Sequence, residues 1–187
     1  MASGATSLPN LLTYGRILAI PVICWLLAAG GTAAGWAALL LYAAAAVTDW
    51  LDGYLARRMQ LISPLGRMLD PIADKLLVGA LLIVLAWDGS LSWLDLIPAI
   101  AIMLREILVS GVREFLGPRN VVLHVTPLAK WKTTVQLVAL GVVMAERLVP
   151  GLAPVGDGLL WLAGLLTVWT GIDYCIKALP HLTGDAP

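Results

Sequence analysis

Apolar residues gather into six runs along this chain, near 17–30, 34–48, 76–87, 96–112, 133–145 and 154–172. Several are shorter than the roughly 20 residues that cross a bilayer, and each reaches that length by taking in polar residues at one end. No segment alternates as a barrel strand does, and lipid tolerates no exposed backbone polar groups. The pattern therefore predicts an all-α, polytopic membrane protein: one domain over 1–187, built as a bundle of about six transmembrane helices. Three connecting stretches, G-G-T-A-A-G, W-D-G-S-L-S-W and V-P-G-L-A-P-V-G-D-G, carry the Gly, Pro and Asp of turns. Trp36, Trp87 and Trp93 flank two of them, as an aromatic belt would. The first run resembles a signal peptide in length. Arg16 is the only base before it and Pro21 interrupts it, so it reads as a retained first helix.

Composition strengthens this reading. Of 187 residues, 60% are hydrophobic and 13% charged, against about 45–50% and about 25% in a soluble domain. The net charge is zero but unevenly spread. With the N-terminus inside, one side collects Arg16, Arg57, Arg58, Arg67, Lys75, Arg113, Arg119, Lys130, Lys132 and Lys177, while Arg147, Asp88, Asp95 and Asp157 fall on the other. The positive-inside rule then puts the N-terminus in the cytoplasm. The bilayer is the expected partner, and no nucleic acid is. Cys24 and Cys175 make neither a disulfide framework nor a metal motif, and His124 and His181 read as interfacial. There is no internal repeat, which counts against the usual transporter folds.

Against this apolar background, D-W-L-D-G-Y-L-A-R at 49–57 and G-R-M-L-D-P-I-A-D at 66–74 place four carboxylates in one short window. Asp49 and Asp52 are three apart and share a helix face. Gly53 and Ala56 leave a smooth strip beside them, bordered by Arg57, where a bulky group can lie against the backbone. The next helix is expected to start at Ser63-Pro64, with Ser as N-cap and Pro in the first helical position. Asp70 and Asp74 share a face of that helix, and Pro71 should bend it. A short connection would make the two helices antiparallel neighbours with their acidic faces meeting. Carboxylates about 5 Å apart repel by roughly 3 kcal/mol at an effective dielectric near 20. Each charge within a membrane segment costs about 2.5–3.5 kcal/mol more. Either some of the four are protonated or divalent cations bind. All-oxygen ligands select hard ions such as Mg²⁺ or Mn²⁺, and two metals could share four Asp.

These residues match the pattern D-x-x-D-G-x-x-A-R, eight residues, G-x-x-x-D-x-x-x-D, complete in Asp49, Asp52, Gly53, Ala56, Arg57, Gly66, Asp70 and Asp74. The chain thereby resembles the CDP-alcohol phosphotransferase family. Further stretches, P-N-L-L-T-Y-G-R at 9–16, R-E-I-L-V-S-G-V-R-E at 105–114 and K-W-K-T-T-V-Q at 130–136, are similar to its bacterial branch that makes phosphatidylglycerophosphate. That branch joins CDP-diacylglycerol to sn-glycerol 3-phosphate and releases CMP. The resemblance implies metal ligation by Asp49, Asp52, Asp70 and Asp74, with Asp74 also the general base. It implies contacts to the CDP-alcohol from Asn10, Thr13, Gly53, Arg57 and Ser63, with Ala56 in the adjoining strip. A homodimer in the bacterial inner membrane, with its active site on the cytoplasmic side, is also implied.

A phosphorylated acceptor needs bases. Arg105 and Arg113 are eight apart and near one face, and Arg105 lies deep in an apolar helix, where a charge is a functional candidate. Together with Lys130, and more weakly Lys132, they are the expected binders of the acceptor phosphate. Pairing with Glu106 and Glu114 is the bland alternative. Asp173 reads as buried in the last helix without a role. An inositol-phosphate acceptor is the nearest rival within the enzyme class. A cation channel or transporter using the Asp cluster is the rival from another class, but it leaves Gly53, Ala56 and Arg57 unexplained.

Overall fold

A computed structural model describes residues 8–59, 64–117, 121 and 126–183. Among the described residues there are six helices and no strands: α1 (Leu8–Ala29), α2 (Thr32–Met59), α3 (Pro64–Trp87), α4 (Leu96–Leu116), α5 (Pro127–Ala145) and α6 (Ala153–Thr183). The all-α, polytopic expectation holds. Three stretches are long and apolar enough by themselves to cross a bilayer: Asn10–Ala29, Thr32–Asp49 and Ala153–Thr183. The charges Arg67, Asp70, Asp74 and Lys75 in α3 and Arg105, Glu106, Arg113 and Glu114 in α4 dilute those helices.

Local chemistry sets the boundaries. Gly30 and Gly31 reverse the chain after α1 with φ of 71° and 86°, a backbone region that side chains with a Cβ rarely enter. Pro64 opens α3, where its missing N–H costs nothing. Asp88 Oδ1 accepts from the Ser90 amide at 2.9 Å, the short side-chain turn that Asp favours. Arg147 Nη2 closes on the same carboxylate at 3.1 Å, so Arg147 and Asp88 pair with each other. Ahead of α4, buried Asp95 turns its carboxylate back onto the Ser92 amide at 3.1 Å and takes the indole N–H of Trp161 at 3.2 Å.

The chain forms two compact units, one comprising Met1–Ser90 and Gly141–Leu152, the other Leu91–Leu140 and Ala153–Pro187. In the first, α1 packs against both α2 and α3. Its buried face runs through Ile20, Ile23 and Leu27, meeting Ala38, Tyr42 and Ala45 of α2 and Leu77, Leu81 and Leu85 of α3 at helical spacings of three and four. In the second unit, α4 packs on α6 along a stripe of small residues, Ala163, Gly164, Thr167, Thr170, Gly171 and Ala178. Small residues at such seams let backbones approach, the main device for joining helices where lipid removes the hydrophobic drive. Large apolar side chains point outward instead: Ile83 is 69% exposed and Leu165 64%. A soluble protein rarely shows apolar surface on this scale, and these faces suit hydrocarbon.

Gly164 is the tightest point of the seam. A methyl group there would lie 2.6 Å from Pro98 Cβ and 3.1 Å from its Cα, a contact with backbone that cannot swing away. We expect Gly164→Ala to destabilise the protein by about 1–3 kcal/mol through overpacking. Gly158→Ala, with no atom within 4 Å, should be neutral or raise stability by up to about 1 kcal/mol through helix propensity. Thermal unfolding of the two variants in the same detergent checks the pair.

Candidate functional site

The polar end of the buried face of α1 carries Asn10, Thr13 and Arg16, each three residues from the next and each no more than 2% exposed. Side chains at that spacing project to one side of a helix. Here that side faces the aspartates. Arg16 Nη1 donates to Asp49 Oδ1 of α2 and, at 2.5 Å, to Asp74 Oδ1 of α3. Thr13 Oγ1 donates to Asp70 Oδ1 at 2.7 Å. One helix thus gathers three of the four aspartates from two other helices. The expectation that the acidic faces of the second and third helices meet is refined accordingly: α1 supplies the groups through which Asp49, Asp70 and Asp74 are joined. Asn10 and Thr13, expected beside the CDP-alcohol, sit on that same face. Asp52, Gly53, Ala56 and Arg57 lie on the helical backbone of α2, but their side chains are outside the described ones, and Ser63 is outside the described residues altogether.

Electrostatics explains why the three helices stay together here. Arginine is a cationic side chain, and that of Arg16 is 1% exposed. Removing such an ion from water costs several kcal/mol, which close carboxylates must offset. Asp49 and Asp74 in turn need a cation between them. Asp74 remains the more open of the two, with 52% of its side chain exposed against 35% for Asp49. It is therefore the more accessible carboxylate, while Asp49 braces the cluster. Lys75 turns to the backbone, donating to the Pro71 carbonyl at 2.8 Å.

The fit of this site to a metal rests on its donors. Asp49 and Asp74 converge on one cationic nitrogen, so a position exists where two hard oxygens share a cation. Among the described residues, no three His, Cys, Asp or Glu side chains are arranged to hold a metal ion. The Asp52 carboxylate is not among them. In kind, the donor set fits Mg²⁺ or Mn²⁺.

A second candidate site lies in the other unit. Arg105, Arg113, Asp173, Tyr174 and Lys177, with Thr126, Ala129 and Thr170, line a small pocket. The Arg113 guanidinium stands 6.0 Å from the centre of the Tyr174 ring, a cation–π distance. Gly171 makes room for Arg105, since a methyl group there would come 2.8 Å from Arg105 Cγ. The buried Nε of Arg105 has no hydrogen-bond partner, which leaves a donor for an anion. Two of the four bases expected to bind the acceptor phosphate are therefore brought to one pocket.

Of the other two, Lys132 pairs elsewhere. Lys132 is buried and its Nζ donates to Glu106 Oε1, the same oxygen that Arg105 approaches at 3.3 Å. It does not line the pocket, and the pairing alternative is the one realised for it. The side chain of Lys130 is outside the described ones. Asp173 is corrected: it is half-exposed, not buried, because one turn later Lys177 holds it at 2.7 Å and both face the pocket. Sequence reasoning treated Arg16 and Lys177 only as anchoring bases. The signal for Arg16 was available: a lone charge inside an apolar span, at a three-residue interval from Thr13 and Asn10.

Comparison with known proteins adds the context. The profile of a family described as CDP-alcohol phosphatidyltransferase matches residues 6–169. A Cereibacter sphaeroides protein named CDP-diacylglycerol--glycerol-3-phosphate 3-phosphatidyltransferase is 40% identical over 218 residues, covering 96% of this chain and 98% of its own length. A Rickettsia typhi protein of the same name is 43% identical over 171 residues, covering 90% and 94%. An Oryza sativa protein named cardiolipin synthase (CMP-forming) is 40% identical over 91% of this chain and 57% of its own length.

The buried Lys132–Glu106 pair yields a stability prediction. Lys132→Met should lower stability by about 3–5 kcal/mol, because it leaves a carboxylate with less compensation. Glu106→Gln combined with Lys132→Met should recover a substantial part of that loss. Denaturation midpoints of the single and double variants in detergent test this.

Proposed function

The chain belongs to the CDP-alcohol phosphatidyltransferase family, and from that premise we propose that it transfers the phosphatidyl group of CDP-diacylglycerol to sn-glycerol 3-phosphate, giving phosphatidylglycerophosphate and CMP. The observation that carries this reading is the gathering of Asp49, Asp70 and Asp74 on the buried face of α1. Support for the acceptor comes from the names of the Cereibacter and Rickettsia relatives and from a pocket with three bases to one acid.

In this reading Asp49, Asp52, Asp70 and Asp74 hold divalent ions, Mg²⁺ or Mn²⁺. When bound, such ions neutralise the diphosphate and stabilise the charge that develops on it. The rest falls to the chain itself. Gly53 and Ala56 let the CDP-alcohol lie against α2, and Arg57 makes a charge-assisted contact with its diphosphate. Asn10 and Thr13 border the same place. Arg105 and Arg113 hold the acceptor phosphate as forked donors, which suits a dianion better than a point charge does. Lys130 is a further candidate there. Lys132 acts indirectly, by fixing Glu106 beside Arg105. Asp74 accepts the proton of the acceptor's 1-hydroxyl. That oxygen attacks the phosphorus bearing the diacylglycerol, and the bond to the CMP oxygen breaks. CMP leaves with the electron pair, and no covalent enzyme intermediate is needed. The exposed apolar faces of α1–α6 let the acyl chains of donor and product remain in lipid. We place the protein in a bacterial inner membrane as a homodimer, with its N-terminus and site on the cytoplasmic side, in keeping with the distribution of Lys and Arg.

The test is CMP release by purified protein with CDP-diacylglycerol, a divalent ion and a panel of glycerol 3-phosphate, inositol phosphate and serine, followed by identification of the lipid product. Turnover with glycerol 3-phosphate alone, abolished by a chelator, is the expected result. A preference for inositol phosphate would reassign the acceptor, and no CMP with any acceptor would leave an ion-conducting role for the carboxylates. Asp74→Asn should lower turnover by at least about a hundredfold, the scale of a lost general base, and it should also lower the melting temperature, since it takes one counter-charge from buried Arg16; turnover per folded protein, measured below that temperature, separates the two effects. Arg105→Gln should raise KM for glycerol 3-phosphate more than KM for CDP-diacylglycerol.

A further inference from the structure

Arg16 stands where a metal ion would compete with it. Its Nη1 lies between Asp49 Oδ1 of α2 and Asp74 Oδ1 of α3, two of the carboxylates that the proposed function assigns to a divalent cation. A guanidinium there brings one positive charge to two negative ones. A divalent ion on the same oxygens would balance them fully, and ion and guanidinium, being like charges, cannot share the position in a medium of low dielectric. The guanidinium also has somewhere to go. Beside Arg16, the residues Leu12, Gly15, Ala19, Ala45 and Thr48 line a groove between α1 and α2 with about 450 Å³ of open space. Thr48 donates its hydroxyl proton to the Ala45 carbonyl, which leaves its oxygen lone pairs for an N–H donor.

We propose that Arg16 is a built-in counter-cation: it holds Asp49 and Asp74 together when no metal is bound, and yields them to a divalent ion by withdrawing toward Thr48. The role is one of positioning and rests on the metal-dependent reading above. It sets the ion affinity of the cluster below what the carboxylates alone would give, while keeping three helices joined in the absence of the ion.

The experiment is Mn²⁺ binding to the purified full-length protein in detergent, followed by electron paramagnetic resonance, together with thermal unfolding in chelator and in saturating Mn²⁺. Arg16→Gln removes the competing charge. Its Kd for Mn²⁺ should fall by about tenfold, the equivalent of one lost charge-assisted contact. Its melting temperature should drop in chelator and return to the wild-type value with Mn²⁺. Arg16→Lys, which keeps the charge but cannot fork between two carboxylates, should lie between. Equal or weaker Mn²⁺ binding by Arg16→Gln, the outcome of a merely structural role, overturns the proposal. If that variant folds in neither medium, equal or weaker binding by Arg16→Lys overturns it in the same way. Should wild-type protein itself bind no Mn²⁺, the metal-dependent reading falls first, and the wild-type measurement alone reveals it.

Discussion

One guanidinium decides how the N-terminal half of the chain is arranged. Arg16 is buried in an apolar helix, where an uncompensated charge would unfold the local structure or drag water in. Asp49 and Asp74 compensate it from α2 and α3. Each of those acids, placed beside the other, would be costly without it. The interaction is thus mutual: the base forces the acids inward and the acids license the base. Adding Thr13 on Asp70 makes α1 the element on which Asp49, Asp70 and Asp74 are assembled. Apolar packing through Ile20, Ile23 and Leu27 brings the three helices together, but apolar contacts are not directional, and it is the ion pair that sets which residues face one another.

The same logic of small inside and large outside runs through the second unit. Gly164 and Gly171 remove side chains where α6 meets Pro98 and Arg105. The gain is close backbone contact in a setting where lipid competes with any apolar side chain. At Gly171 the space is used by the stem of Arg105, so a packing choice in α6 positions a base of the pocket. Arg113 is steadied on the ring of Tyr174 in the same way. Structural and chemical roles are joined here: the seam that holds α4 to α6 also aims two guanidinium groups.

Much of this was legible in the sequence. Six apolar runs gave six helices among the described residues, Pro64 opened α3 as its chemistry requires, and Gly30, Gly31, Gly89 and Gly151 took positive φ in the three stretches where turns were expected. The four-aspartate pattern identified the site because no bland reading accounts for that density of charge in an apolar chain. What the sequence withheld was which helix faces which. Periodicity tells which residues of one helix share a side, but it is silent on the partner across the gap. Arg16 therefore looked like a surface anchor, although it touches two aspartates 33 and 58 positions away. Lys132 looked available for a ligand, although Glu106, 26 positions away, takes its charge. Asp173 looked buried because its neighbours are apolar, although Lys177 draws it to the pocket edge. Every one of these misjudged residues is charged, and a charge can satisfy itself only through a partner that the local pattern does not reveal.

The two sites solve opposite electrostatic problems within one chain. A diphosphate cannot approach a cluster of carboxylates directly, since like charges a few ångströms apart repel by several kcal/mol at the dielectric of a protein surface. On the proposed reading cations would stand between them, and the Asp49, Asp52, Asp70 and Asp74 carboxylates that would hold such ions would thereby also place positive charge where the bridging bond breaks. The acceptor presents the reverse case. Its phosphate would be a spectator to be held without being activated, and on the proposed reading the forked donors of Arg105 and Arg113 would do this with no ion that could polarise the phosphorus. Carboxylates for the group that reacts and guanidinium groups for the group that must not react is a division of labour that follows from charge alone. It fits a chain of zero net charge in which Asp49, Asp70 and Asp74 gather on the face that carries Arg16 while Arg105, Arg113 and Lys177 share a pocket with Asp173.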